Sequence, residues 1–452
     1  MKQVALALLF IGTLVPFATS CEKKEEPTLS EAKKVITTLL PQSATRITPP
    51  EPGKKDILLK DLNGDGVSEI VSFYEKKEQP DQIYILIAQK RDTHNWDSVT
   101  FSEQGSDLVY GDLQDLTGDG KANIILGFQR KQEDKRVLKV FSFQQGKPKA
   151  DITHHYDLLA VGDLDRDQKN ELLLINNRKG SNGNTHLSIR LFDGLQPTDQ
   201  LDVTGFQGEV AAHALIGKID SNRSGLFVNM IDKAQTGKTT IFTYEKGKLK
   251  NLFPPGFPEE EKLLQAYPAV VKDVNQDGIV DIPTLIRPPL NEALSLRETV
   301  WITQWNRITE DNQFQLVQES VENSLPGLRF VIPDKWNNQV TAMTNPIPYG
   351  DSINFVYVGK KSFLPSILIL ESYPKQHWKQ AKKRYKQKNI KHRILGKRKD
   401  RVYTVIHPME QSDAQETIPE EIKGLSLTQS ELEEHIQFFS DKEFPAAKNQ
   451  LP

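Results

Sequence analysis

The sequence predicts a mainly β protein in which a five-bladed β-propeller precedes a smaller C-terminal α+β domain. Three observations support this fold class. An acidic nine-residue loop recurs, with first positions at residues 61, 115, 163, 218 and 273. Strand-length apolar runs flank each copy, and the repeat stops near residue 322. A fixed period of about 50 residues is typical of solenoids, propellers and arrays, and four short strands per period indicate a propeller blade.

The best-formed loop is the stretch from Asp273 to Asp281. Asp273, Asn275 and Asp277 alternate along it, Gly278 occupies the sixth position, and Asp281 the ninth. Ca²⁺ prefers six to eight oxygen ligands, and glycine at positive φ allows a chain to wrap around an ion. An EF-hand would place its acid at the twelfth position between two helices. The sequence therefore predicts a calcium loop between two strands.

Three further copies retain most of this pattern, and a fourth has lost it. In the copy that begins at Asp163, the turn glycine is absent. In the copy at residue 218, Lys218 and Leu226 replace the first and ninth ligands, so we expect that loop to bind no calcium. The predicted ligands are positions one, three, five, seven and nine of the other loops: Asp61, Asn63, Asp65, Val67, Glu69; Asp115, Thr117, Asp119, Lys121, Asn123; Asp163, Asp165, Asp167, Lys169, Glu171; Asp273, Asn275, Asp277, Ile279, Asp281.

These loops have a simpler interpretation as Asp-Gly hairpin turns that bind no ion. Repetition of the alternating acids favours calcium. We expect the loops at 61 and 273 to bind best, because each has three alternating oxygen ligands and an acid at the ninth position. Thr117 and Asn123 provide less charge in the loop at 115.

Each period is predicted to contain four strands. Apolar runs lie on both sides of the loop, a third strand begins near Ile83, Val137, Leu187, Thr240 and Val300, and a fourth follows a polar glycine turn. With its D-x-[DN]-x-D-G-x-x-[DE] loops, the stretch 53–322 resembles the FG-GAP/VCBS repeats of integrin-alpha-like propellers. That resemblance implies a calcium-stabilised propeller. The FG and GAP tripeptides of the family are absent, so an integrin-type function is not implied.

The N-terminus predicts export from the cytoplasm. Lys2 precedes an apolar segment from Val4 to Phe17, and small residues then lead to Cys21, the single cysteine of the chain. This order resembles a bacterial lipoprotein signal, with residues 1–20 removed and Cys21 lipidated. The alternative is an ordinary secretory signal with an unrelated cysteine. Residues 21–52 are predicted to form a tether, a short helix after Thr28 and a linker.

The C-terminal region, residues 323–445, is predicted to be an α+β domain. Its expected helices are Lys375 to Lys388 and Thr428 to Phe439. The opening F-x-x-P-x-x-W motif, formed by Phe330, Pro333 and Trp336, resembles PsbP-like domains of bacterial lipoproteins. Thirteen Lys or Arg residues lie between 375 and 401, against one acid, Asp400. This stretch is interpreted either as a solvated helix face or as an anion-binding surface that includes Lys382, Lys383 and Arg384.

No catalytic motif is present in the sequence. The net charge is −2, which argues against global nucleic-acid binding, and adjacent His154 and His155 are interpreted as surface residues. We expect a monomeric, extracytoplasmic lipoprotein, held to the cell membrane through Cys21. Its expected role is non-catalytic binding or scaffolding for an envelope protein or glycan, with Ca²⁺ bound in the loops. The alternative is a hydrolase or lyase that acts on polysaccharide.

Overall fold

Five antiparallel sheets follow one another along residues 44–331, the fifth completed by a strand at residues 436–438, and a sixth sheet lies between residues 340 and 406. The computed structural model describes residues 26–439 apart from 51–53, 93–94, 132, 181–184, 207–208, 235, 255, 259, 297, 323, 360–364, 399 and 412–418. The signal segment, Cys21 and most of the predicted tether lie outside the described residues. The mainly β class is confirmed.

The first three sheets each take their strands from neighbouring stretches of the chain. The first contains β1 (Ala44–Ile47), β2 (Leu58–Lys60), β3 (Glu69–Lys76), β4 (Gln79–Lys90) and β5 (Trp96–Gln104). The second contains β6 (Asp107–Gln114), β7 (Asn123–Gln129), β8 (Arg136–Gln144) and β9 (Lys147–Tyr156). The third contains β10 (Leu158–Gly162), β11 (Glu171–Lys179), β12 (Thr185–Asp193) and β13 (Gln196–Phe206).

The fourth and fifth sheets depart from simple repetition. The fourth contains β14 (Val210–Lys218), β15 (Ser224–Ile231), β16 (Gly237–Glu245), β17 (Lys248–Asn251) and β18 (Leu264–Gln265). The fifth contains β19 (Ile282–Ile286), β20 (Ile302–Ile308), β21 (Phe314–Val321), β22 (Leu328–Val331) and β28 (Ile436–Phe438). The sixth, which belongs to the C-terminal region, contains β23 (Val340–Thr344), β24 (Asp351–Tyr357), β25 (Ser366–Pro374), β26 (Arg393–Lys397) and β27 (Arg401–Ile406).

Helices are short and few among the described residues. The α-helices are α1 (Leu29–Leu39), α2 (Trp378–Gln387), α3 (Glu420–Lys423) and α4 (Gln429–Glu434). Single 3₁₀ turns occur at Glu260–Leu263, Asp334–Trp336, Lys375–His377 and Pro408–Glu410. The Thr28 side chain accepts a hydrogen bond from the Glu31 N–H, which confirms the predicted cap of α1.

Sheets pack face to face in chain order because successive residues of a strand point to opposite faces. In β7, Ile124 packs against the first sheet and Ile125 against the third. In β15, Val228 packs against the third sheet and Phe227 against the fifth. The same alternation therefore buries both faces of the internal sheets.

The two ends of this row are covered by other elements. Ala32 and Ile36 of α1 pack against Ile70 and Tyr74 on the outer face of the first sheet. Phe330 and Val321 of the fifth sheet share a core with the C-terminal region. Among the hydrophobic clusters of the described residues, none joins the first sheet to the fifth. Closure into a five-bladed ring therefore stays a prediction.

Several elements differ from the expectation. The predicted linker contains β1, which pairs with β3 beside β2. The expected strand before the loop at 273 is reduced to one bridge between Lys272 and Asp281. The predicted helix from Thr428 to Phe439 ends at Glu434. It is followed by β28, because Ile436 and Phe438 alternate and pack against the core that the fifth sheet shares with the C-terminal region.

Candidate calcium loops and cationic cavities

The ninth residue of each acidic loop binds the backbone of the second residue. The N–H of Leu62 donates to Glu69 Oε2 at 2.7 Å, and the N–H of Leu164 donates to Glu171 Oε2 at the same distance. The N–H of Leu116 donates to Asn123 and that of Val274 donates to Asp281. These second residues are buried, so each loop is anchored in the core beside its ninth side chain.

In the loops at 61, 115 and 273, the first carboxylate accepts hydrogen bonds from two or three backbone N–H groups. Asp61 accepts from the N–H groups of Asn63, Gly64 and Gly66, at 3.2, 2.7 and 2.8 Å. Asp115 accepts from the equivalent positions of the second loop. Gly64 and Gly66 have φ values of 82° and 81°, which explains the need for glycine at these turn positions. The loops are therefore shaped by their own backbone before any ion binds.

Burial raises the pKa of the ninth carboxyls. Desolvation raises the pKa of Glu69 and of Glu171 to about 7, although the second-position N–H opposes this shift. The pKa of Asp281 is raised to about 6 for the same reason. A bound cation would favour the charged form of all three carboxyls.

The loop at 163 adopts the same shape without glycine. Arg166 and Gln168 have φ values of 69° and 74°, the left-handed region that side chains rarely adopt. Ligand oxygens of Asp163, Asp165 and Glu171 lie within 4.8 Å of one another. Asp163 Oδ1 is buried and has no hydrogen-bond partner. The acidic oxygens therefore converge in a loop that the sequence ranks below those at 61 and 273.

In the loop at 273, one predicted ligand oxygen has no hydrogen-bond partner, and an arginine side chain contacts another predicted ligand. Asp281 is fully buried, and its Oδ1 has no hydrogen-bond partner. Arg307 Nη2 lies 2.6 Å from Asp277 Oδ2. The arginine therefore occupies part of the ligand set in the loop that the sequence ranks among the best. Sequence reasoning did not identify this contact, because Arg307 lies 30 positions away on β20.

The loop at 218, which lacks the calcium pattern, contains an arginine that pairs with its remaining carboxylate. Arg223 Nε and Nη2 both lie 2.7 Å from Asp220 Oδ2. The same guanidinium donates to Asn312 and to the carbonyl of Thr309, just beyond β20 of the fifth sheet. This arginine therefore provides the positive charge that a metal ion would provide in the other loops.

The loops lie beside one another in a continuous row. The N–H of Ala122 donates to the carbonyl of Asp61 at 2.8 Å, and the N–H of Val280 donates to that of Lys218 at 2.9 Å. In both cases the eighth residue of one loop binds the first residue of the preceding loop. The middle of the row is joined by side chains, because Asn170 donates to Gln114 at 3.0 Å and Arg166 donates to the carbonyl of Ser221.

The three residues of the predicted anion-binding surface, Lys382, Lys383 and Arg384, lie in different environments. Lys382 and Lys383 are exposed on α2. Arg384 instead binds both oxygens of the buried Glu371, at 2.9 and 3.0 Å. Glu371 also accepts from the hydroxyls of Tyr373 and Tyr385, and burial, together with the charge of Glu371, raises the pKa of both tyrosines. The assignment of Arg384 to an exposed anion-binding surface is wrong, because the guanidinium is used inside the domain.

Two cavities are lined by basic side chains. One, of about 290 Å³, lies on the second and third sheets and contains His154, Arg178 and Arg190. Burial lowers the pKa of His154, which is half-buried where it lines this cavity. His155 borders the same cavity and is exposed at the surface, as predicted. The other, of about 560 Å³, lies on the C-terminal region beside α2. No Asp or Glu is among the described lining residues of either cavity.

None of the helices in the described part of the chain combines the length and apolar character needed to cross a bilayer. No family model and no curated protein matches the chain. Among solved structures, it is similar to a rhamnogalacturonan lyase of Bacillus licheniformis (14% identity, TM-score 0.30), covering 54% of this chain and 53% of the lyase. It is also similar to the β-propeller domain of the trilobed protease of Pyrococcus furiosus (11% identity, TM-score 0.26), covering 70% and 89%. Similarity at these values assigns neither family nor activity.

Proposed function

We propose that this chain is a calcium-stabilised, non-catalytic binding or scaffolding module of the bacterial envelope. Its five sheets would act as blades of an FG-GAP/VCBS-like propeller, and Cys21 would carry the lipid anchor. The ligand would be an envelope protein or a glycan. The signal-like N-terminal sequence supports the location in the envelope, and the geometry of the acidic loops supports calcium binding.

One observation carries the calcium proposal. In the loop at 273, one carboxylate oxygen of the buried Asp281 accepts a hydrogen bond from the Val274 N–H, and the other has no partner. A buried carboxylate with an unpaired oxygen is costly. A hard cation bound among the alternating oxygens of this loop would remove that cost. Asp163 repeats the observation in a second loop, with an unpartnered Oδ1.

The direct test is thermal unfolding of the full chain in EDTA, in millimolar calcium and in millimolar magnesium. A ligand that binds only the folded state stabilises it by about 2.7 kcal/mol per site at 100 times its dissociation constant. We expect a higher melting temperature in calcium than in magnesium, because calcium tolerates the irregular oxygen sets of such loops. Identical melting curves in EDTA and calcium would contradict the proposal.

A second function is favoured by the 290 Å³ cavity on the second and third sheets. Burial lowers the pKa of His154, which favours the neutral imidazole, and the cavity also contains Arg178 and Arg190. Glycoside hydrolysis requires paired carboxyl groups, and no Asp or Glu is among the described residues that line this cavity. Of the enzymatic alternatives, lyase chemistry on an acidic sugar therefore fits better, with His154 as the base. The test is incubation of uronate polymers with the wild type and with His154→Ala, and lyase activity predicts product from the wild type alone. Absence of product with both proteins would exclude lyase activity.

A further inference from the structure

A groove of about 560 Å³ lies between α2, the segment after it, and β26. We call it the basic groove. Four lysines line it: Lys382, Lys386, Lys391 and Lys397. All four are exposed, and none forms an ion pair with a described carboxylate. Their charges therefore add to one another inside a concave surface, where the local potential is focused.

The floor of the basic groove is aromatic and held in place. The rings of Tyr385 and His392 stack with centroids 3.8 Å apart, and Trp378 meets both rings edge-on at 6.3 and 6.2 Å. The Tyr385 hydroxyl is bound to the buried Glu371 and lies 2.8 Å from Thr404. Because Tyr385 is fixed from below, the floor does not depend on a ligand for its shape.

Aliphatic side chains complete this floor. Ile390 and Ile394 line the basic groove, and Ile394 is 46% exposed. An exposed isoleucine beside a half-buried tryptophan offers apolar contact area within a ring of positive charge. The volume lies within the range of small-ligand sites, about 300–1,000 Å³. A ligand that matches this surface has both apolar faces and negative charges.

We propose that the basic groove binds an acidic polysaccharide, with sugar rings on the Trp378 and isoleucine floor and carboxylates beside the lysines. A pyranose ring has an apolar C–H face, and a uronate adds one negative charge per ring. Phosphate and nucleic-acid sites favour arginine, whose planar fork binds phosphate through two hydrogen bonds. Arginine is absent from the described lining of the basic groove. A lipid surface is flat, whereas this surface is concave.

This proposal does not depend on calcium binding, and it names a ligand class for one surface of the proposed envelope module. It also separates the lysines of α2 into two groups. Lys382 and Lys386 line the basic groove, whereas Lys379 and Lys383 are exposed but do not line it. Both pairs have the same spacing on the same helix, and both lose the same charge when changed to glutamine.

The test is calorimetric titration of the full chain with oligogalacturonate at about 0.15 M salt and in EDTA. We expect Lys382→Gln with Lys386→Gln to weaken binding about tenfold, because two charge contacts contribute roughly that much. Lys379→Gln with Lys383→Gln should change binding less than twofold. Trp378→Phe should weaken binding about threefold while leaving the circular dichroism spectrum unchanged.

Three outcomes would overturn the proposal. Equal losses in the two lysine pairs would show that only the overall charge of the segment matters. Binding to vesicles of phosphatidylglycerol but not to oligogalacturonate would assign the surface to lipid. Tighter binding of a single-stranded oligodeoxynucleotide than of oligogalacturonate would assign it to nucleic acid. Because the titration is done in EDTA, its result is independent of the calcium test.

Discussion

Arg223 and Asp220 form an ion pair at 2.7 Å inside the one acidic loop that has lost its calcium pattern. The Asp220 side chain is 7% exposed, so its carboxylate is almost completely removed from contact with water. The guanidinium also binds Asn312 and Thr309, which ties the fourth sheet to the fifth. We infer that an arginine stabilises this junction in the way that calcium is proposed to stabilise the others.

Replacement of this arginine is expected to destabilise the protein whether or not calcium is present. Arg223→Gln leaves the Asp220 carboxylate partly unpaired, which should lower the free energy of unfolding by about 2 kcal/mol. The measurement is chemical denaturation in EDTA and in calcium. The matched variant is Asp65→Asn, which keeps an amide oxygen to accept the Val67 N–H and should lower stability mainly in calcium. A calcium-dependent effect of Arg223→Gln would contradict this role.

The Arg307 contact with Asp277 is expected to limit calcium affinity in the loop at 273. Arg307→Gln frees a fifth-position ligand, so the dissociation constant of this loop should fall about two- to fivefold. Both side chains are about one-third exposed, which keeps the effect modest. Calorimetric titration with calcium measures it. Arg91→Gln, which removes an exposed arginine just after β4, is the control and should leave the affinity unchanged.

Without calcium, the stability of the protein is expected to fall as the pH rises, which is the opposite of the usual contribution of carboxyl groups. Glu69 and Glu171 have pKa values near 7 in the folded protein, against 4.5 as the ordinary value. Between pH 4.5 and 7 the folded state therefore binds more protons than the unfolded state. Stability in EDTA should then decrease as pH rises through this interval. Calcium requires the deprotonated form, so its stabilising effect should be largest above pH 7.

Melting temperatures measured from pH 4.5 to 8, with EDTA or with calcium, provide this comparison. Glu69→Gln is the informative variant, because glutamine still accepts the Leu62 N–H but does not titrate. Its stability in EDTA should depend less on pH than that of the wild type. An unchanged pH dependence would show that the buried carboxyl does not titrate in this range.

Arg384 and Lys383 are neighbours in sequence with opposite structural roles. Arg384→Gln removes the partner of the buried Glu371 and should cost about 3–5 kcal/mol of folding free energy. Lys383 is exposed, so Lys383→Gln should change stability by less than about 0.5 kcal/mol. Urea denaturation measures both. Similar midpoints for the two variants would refute the assignment of Arg384 to the interior.

Cys21→Ser tests the predicted lipid anchor, which lies outside the described residues. The variant is expected to move from the detergent phase to the aqueous phase in a partition assay, because a serine at this position cannot be lipidated through sulfur. Wild type treated in parallel is the control. Retention of the variant in the detergent phase would refute the anchor.

The acidic repeats could be predicted from the sequence because their information is local. Alternating carboxylates, glycines at left-handed positions and apolar flanks all lie within about 15 residues, and the strands that follow Glu69 and Glu171 were predicted from them. The third strands and the glycine turns follow the same short-range rules. Helix α1 was predicted from one cap and one apolar face.

The tertiary structure decided everything that depends on residues far apart in the chain. Leu328–Val331 and Ile436–Phe438 pair within the fifth sheet although about 100 positions separate them. Arg307 reaches Asp277, and Arg384 reaches Glu371, through contacts that no local pattern encodes. A run of basic residues has the same appearance in sequence whether each charge is solvated or buried. Only the fold separates Arg384, which is held by a buried carboxylate, from the lysines that line the basic groove.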